Sequence, residues 1–343
     1  MKCLAKPPTF EGQDLPLQIR VSLGSAIVIG LLEGKLDAKP TTAYLMTFKT
    51  GKCSANCGFC PQARSSQSKA ELLSRISWPV FSSLSVLEGI EGAVKARKIK
   101  RVCIQALNYS KVFSDLSAFV KALKQRVPVP VSVSCQPLNK ANMQRLADAG
   151  VERIGIALDA ATETVFDAVK GSGASGPYNW GEQFRQLREA VEFFGRGNVS
   201  THVIVGLGET EKDVVRVIQE CMDMGVLPAL FAFTPVRGTT LALKPQPQLG
   251  VYRRVQVARH LIVNHIARSD SMCFDVEGRI MSFGISDSQL AQVVDSGAPF
   301  LTSGCTGCNR PFYNEKPSGP IYNYARKMTP EEVGYVKKQL SLK

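Results

Sequence analysis

Five of the ten cysteines fall into two tight groups, and these are where the sequence could do chemistry. The first is Cys53-Ser-Ala-Asn-Cys57-Gly-Phe-Cys60. A structural zinc site takes four protein ligands, commonly from cysteine pairs two to four residues apart. Three thiolates on one short loop leave one metal position open, a count that suits a 4Fe–4S cluster with one iron free of protein. A zinc knuckle completed by a distant fourth ligand is the alternative. The second group is Cys305-Thr-Gly-Cys308. A C-x2-C pair serves redox disulfides, zinc half-sites and cluster half-sites alike. Gly304 and Gly307 permit backbone turns that let both sulfurs face one metal. Cys3, Cys103, Cys135, Cys221 and Cys273 are scattered, as small buried hydrophobes are.

Elements able to hold these loops alternate along the chain. Short runs rich in β-branched residues read as strands at 43–48, 101–107, 130–135, 153–158, 199–206, 228–235 and 271–276, with a last one near PFLTSG. Helical period marks 140–150, 178–194 and 209–225 between them. Alternation at this pace predicts βαβ units and a parallel sheet of α/β class. The number of units suits a barrel, although pattern alone does not decide closure. Residues 1–40 read as an N-terminal helical extension, 41–300 as the barrel, and 301–343 as a cysteine-bearing segment ending in a helix opened by Thr329-Pro330-Glu331-Glu332. The first cysteine loop then follows the first barrel strand, and the second follows the last.

The composition narrows the function class. With 44% hydrophobic and 21% charged residues, the 343-residue chain is of ordinary globular type. No run of about 18 apolar residues suggests a membrane span. The N-terminus lacks an apolar signal core, so a cytoplasmic location is expected and a disulfide framework is not. The net charge is +13, yet no block of basic residues and no nucleic-acid module is present. The charge balance speaks of partners and solubility and is not read as a nucleic-acid footprint.

The C-x3-C-x2-C spacing, with Phe59 before the last cysteine, resembles the signature of the radical S-adenosylmethionine (SAM) superfamily. That resemblance implies a 4Fe–4S cluster on Cys53, Cys57 and Cys60 whose open iron chelates SAM. An electron donor reduces the cluster, and the sulfonium is cleaved to a 5′-deoxyadenosyl radical; the hard chemistry is the cofactor's. The segments 48–66, 138–159 and 203–213 are similar to biotin synthase, which implies a (β/α)8 barrel with its site at the C-terminal mouth. By the same likeness, Phe59 sits with the cofactor and Asp159 bonds its ribose. Ile204, Gly206 and Glu209 support the adenine, and Arg237 meets the carboxylate. His202 stands where that pattern usually has glycine.

The likeness breaks at the second cluster of biotin synthase. Of its three cysteines, one falls on Cys103 and the others on Ser132 and Ser200, while its arginine falls near Cys273-Phe274. A hydroxyl replaces a thiolate poorly toward iron. Cys305 and Cys308 are the candidate replacement, holding an auxiliary 4Fe–4S cluster with further ligands among Cys273, Cys103 and Cys3. Arg310, Tyr313 and Asn314 would shape that site. The segment 304–324 resembles the two-component lipoyl synthases of archaea and some bacteria. What this implies is sulfur insertion into an octanoyl-lysine chain on an acidic lipoyl carrier protein, shared with a second, related radical enzyme. A divergent biotin synthase, another small-molecule radical enzyme, or a cluster-holding scaffold are the alternatives.

Overall fold

A computed structural model describes residues 15–136 and 138–340. Its main sheet has eight strands, designated β1 (Gln18–Val21), β2 (Thr42–Thr47), β3 (Val80–Ser82), β4 (Arg101–Gln105), β5 (Val131–Ser134), β6 (Arg153–Gly155), β7 (Val199–Val205) and β8 (Val226–Ala232). The spatial order is β3-β1-β2-β4-β5-β6-β7-β8. From β2 to β8 every pairing is parallel, while β1 runs antiparallel to both β2 and β3. Helices bridge the parallel strands, as such crossovers require.

Six of the expected strands lie in this parallel run, and the described residues show a mostly parallel sheet without the expected eight-unit closure. The stretch 271–276 contributes only Cys273–Phe274, which pairs with Ile280–Ser282 in a separate hairpin. The cause is local: Gly278 takes φ +78°, and its N–H bonds back to the Asp275 carbonyl, reversing the chain. PFLTSG holds a single 3-10 turn, Ala298–Phe300, after which Leu301 makes one bridge to Tyr324. The strand β1 was not expected within the N-terminal extension; the helical part there is Leu23–Val28.

The three helices expected from periodicity form at Lys140–Asp148, Trp180–Phe194 and Glu211–Met224. Each has an N-cap oxygen, from Asn139, Asn179 and Thr210, accepting from an otherwise orphaned N–H. The terminal helix Pro330–Leu340 opens with Thr329 and Glu332 exchanging bonds. Glu211 and Arg254 form a buried ion pair that ties Glu211–Met224 to helix Leu249–Val263.

The C-terminal segment is fastened over one end of the sheet. Buried Arg253 donates to the carbonyls of Tyr322 and Ile321, and Tyr252 Oη donates to Asn323 Oδ1 at 3.0 Å. Ser303 Oγ accepts from the β8 amide of Leu230 at 2.7 Å. Asn309 accepts from Thr41 N–H and donates to Lys39 O, pinning the loop to the entry of β2.

Candidate active site

The first cysteine loop leaves β2 and is closed by its own backbone. Cys53 N–H bonds to Gln62 O and Cys60 N–H to Cys57 O, while Lys52 Nζ holds the carbonyls of Pro61 and Ser68. Gly58 is clamped from both sides, donating to Val169 O and accepting from Leu241 N–H. Backbone amides of Ala55 and Asn108 point at Cys53 Sγ, at 3.4 and 3.1 Å. Such donors favour a charged sulfur, so the loop fits the cluster that its spacing suggests. Burial pushes the Cys60 thiol up to about 12 and the Cys57 thiol higher still, the nearby Lys170 ammonium opposing the latter. Iron binding must therefore expel these protons. Among the described residues, no three His, Cys, Asp or Glu side chains are grouped as ligands of one metal ion.

All three thiols line a cavity of about 610 Å³, whose lining reaches from the loops after the parallel strands back to Tyr44, Cys103, Ser132 and Ser200 near the strand starts. Phe59, Asp159 and Ile204 line it as well. Asp159, at φ +66°, is buried and accepts from Lys170 Nζ at 2.7 Å. Lys170 also donates to Ala157 O, and the Tyr178 ring lies 5.0 Å from its ammonium. This buried lysine escapes sequence reasoning, because nothing distinguishes it from a surface lysine at a helix end. Burial holds His202 down to about 4, so it faces the cavity as neutral imidazole, its ring edge-on to Phe231.

Gly206, Glu209 and Arg237 are not among the residues that line this cavity. Glu209 turns back on its own loop, accepting from Gly206 and Leu207 amides. Gly206, at φ +105°, is packed so that a Cβ would come 2.9 Å from Pro247. Arg237 is exposed on the turn after Val236 and is not among the cavity-lining residues.

Cys305 and Cys308 enter the same cavity from the C-terminal loop. Gly304 and Gly307 have φ +150° and +77°, and Cys308 N–H closes the turn onto Cys305 O. Cys305 Sγ lies 3.7 Å from Ser132 Oγ, and Cys308 Sγ lies 3.3 Å from Tyr44 Oη. Cys103 lines the cavity beside them, its thiol pushed up chiefly by burial and then by the charges of Cys305 and Cys308. Cys273, named as a further candidate ligand, is exposed on the hairpin outside the main sheet, paired across from Ser282. Cys3 lies outside the described residues. Arg310 lies 3.9 Å over the Phe231 ring and, with Tyr313 and Asn314, lines the cavity.

A sequence profile of the radical SAM superfamily matches residues 47–221, just over half of the chain. The chain belongs to the radical SAM superfamily. Membership implies an enzyme with a 4Fe–4S cluster and SAM, for which Cys53, Cys57 and Cys60 are the fitting ligands. Among curated proteins, the biotin synthase of Sulfurihydrogenibium sp. (strain YO3AOP1) is 27% identical over 205 residues, 58% of this chain and 57% of that protein. The biotin synthase of Acinetobacter calcoaceticus is 26% identical over 266 residues, 76% of this chain and 74% of that protein. The match thus spans little more than half of the first relative's length. Among solved structures, HydG, a maturase of the FeFe-hydrogenase, superposes with TM-score 0.51 at 14% identity, covering 66% of this chain and 51% of that one. Methylornithine synthase (PylB) gives 0.50 at 10% identity, covering 70% and 66%. These two likenesses concern the fold alone: α/β, with a mostly parallel central sheet. Among the described residues, no helix is long and apolar enough to cross a membrane.

Proposed function

We propose that this protein inserts sulfur into a protein-bound octanoyl-lysine chain, as one of a pair of lipoyl synthase enzymes. One observation carries the reading: Cys305 and Cys308 share a cavity with Cys53, Cys57 and Cys60. Cys53, Cys57 and Cys60 would hold a 4Fe–4S cluster that, with SAM, would supply radical chemistry, and Cys305 and Cys308 would hold an auxiliary cluster able to supply sulfur. The protein's own part is to bind, orient and exclude water. Asp159, held by Lys170, offers a carboxylate to the ribose hydroxyls, and Phe59 and Ile204 provide apolar surface beside it. Leu36, Leu73, Ile76 and Trp78 line the cavity with the apolar surface that an acyl chain needs.

The substrate argument also uses charge. A chain of net charge +13 attracts an acidic carrier domain, mainly by speeding the encounter. A free fatty acid gains far less from such a surface. The biotin synthase relatives favour a second reading, a divergent biotin synthase. Against it stand Ser132 and Ser200, hydroxyls where that resemblance asks for thiolates.

The test is anaerobic incubation with SAM, a reductant and three substrates in parallel: an octanoylated carrier domain, free octanoate and dethiobiotin. Mass spectrometry should find thiolated product from the carrier, with apparent affinity falling as salt shortens the Debye length below about 10 Å. Preference for dethiobiotin, or equal use of free octanoate, overturns the proposal.

A further inference from the structure

We infer that Cys103 joins Cys305 and Cys308 as the third thiolate of the second iron–sulfur site, on the floor of the cavity. The inference rests on the auxiliary-cluster reading above and names the ligands that reading leaves open.

Register supplies the first argument. Tyr44 of β2 pairs with Cys103 of β4, and Cys103 pairs with Ser132 of β5. Partners in adjacent strands lie about 4.8 Å apart and project to the same face. The three side chains therefore form one row, with the thiol in the middle. The C-terminal loop sets Cys308 Sγ against Tyr44, at one end of this row, and Cys305 Sγ against Ser132, at the other. The strand cysteine is flanked on both sides by the loop cysteines.

Hydrogen bonding supplies the second. Tyr44 Oη accepts from Arg310 N–H at 2.9 Å and bonds Cys308 Sγ at 3.3 Å, where either atom can donate. Ser132 Oγ accepts from Arg101 Nη1 at 3.0 Å and lies 3.7 Å from Cys305 Sγ, where again either can donate. Gln105 Nε2 donates to Cys103 Sγ at 3.3 Å. Each of the three sulfurs thus has one polar partner able to donate to it, of the kind that orients and tunes a metal-bound thiolate.

The remaining described cysteines do not compete. Cys135 also lines the cavity, but it follows the last residue of β5 and stands outside the row of Tyr44, Cys103 and Ser132. Cys221 is buried in helix Glu211–Met224, and Cys273 is exposed.

The test reconstitutes the full-length protein anaerobically with ferrous iron and sulfide, then reads iron and sulfide counts and Mössbauer spectra. Wild type and Cys273→Ala should hold about eight irons, as two 4Fe–4S clusters require. Cys103→Ala and the nearly isosteric Cys103→Ser should fall to about four, while still releasing 5′-deoxyadenosine from SAM, which shows the fold and first cluster intact. Tyr44→Phe should keep about eight irons but lower the midpoint potential of one cluster, through loss of the O–H···S bond. A Cys103 variant retaining about eight irons with an unchanged spectrum overturns this inference alone. A wild type holding only about four overturns the auxiliary-cluster reading with it.

Discussion

Replacing Lys170 with methionine should destabilise the protein by about 3–5 kcal/mol, the range for removing one partner of a buried ion pair. The structure explains why the upper part of the range is relevant. The Lys170 side chain is 1% exposed, that of Asp159 11%, and the charges meet at 2.7 Å. At an effective dielectric of about 20, their gross attraction is about 6 kcal/mol. Methionine fills much of the space but leaves the Asp159 carboxylate without its donor, while the Ala157 carbonyl keeps Gln136 and Gln183. The assay is urea unfolding of the anaerobically purified protein, followed by circular dichroism. A loss of 3–5 kcal/mol lowers the folded-to-unfolded ratio by two to nearly four powers of ten, at about 1.4 kcal/mol each. The double variant Asp159→Asn, Lys170→Met should recover most of the loss, because removing both charges also removes their desolvation cost. SAM affinity should fall in both. A Lys170→Met protein within about 1 kcal/mol of wild type, or a double variant no better than the single, refutes the reasoning.

Alanine at Cys53, Cys57 or Cys60 should abolish 5′-deoxyadenosine formation, measured by chromatography, because losing one thiolate leaves the cluster two-legged. Cys305→Ala and Cys308→Ala should preserve that cleavage yet lose thiolated product, read by mass; wild-type product from the double variant would make the pair structural. Burial raises the Glu315 carboxyl from 4.5 to about 7, and its Oε2 has no hydrogen-bond partner among the described residues. Between those values the folded state keeps a proton that the unfolded chain has released, so stability is greatest below about 4.5 and declines as pH rises through about 7. Glu315→Gln should flatten that decline, by about 2–3 kcal/mol between pH 5 and 8 in urea unfolding. An unaltered slope would contradict it.

The first site was legible because it is local. Three cysteines within one loop declare their count by spacing, and the loop's own hydrogen bonds do the rest. The sheet was legible in its parallel part, where β-branched runs and helical period alternate. It failed at 271–276 and at PFLTSG, whose composition is strand-like but whose turns at Gly278 and around Pro299 turn the chain away from the sheet. The second site was half legible. Cys305 and Cys308 announce themselves, but Cys103 and Cys273 look alike in sequence, each a cysteine in a short apolar run. Only register separates them, since it places Cys103 between Tyr44 and Ser132 and leaves Cys273 on an outer hairpin. Lys170 was invisible for a related reason: its meaning lies in a carboxylate eleven residues earlier. Glu209 and Arg237 were named from their motif, and the structure adds that Glu209 bonds the amides of its own loop while Arg237 is exposed.

The central claim is that the sulfur leaves this protein's own second site and enters the substrate in the shared cavity. The direct measurement loads the protein with ³⁴S-sulfide during anaerobic reconstitution, removes free sulfide, and supplies octanoylated carrier, SAM and reductant for a single turnover. The account predicts carrier bearing the heavy isotope, formed together with 5′-deoxyadenosine and lost in Cys305→Ala. Product carrying sulfur of natural isotopic composition, or heavy product of equal yield from Cys305→Ala, would contradict it.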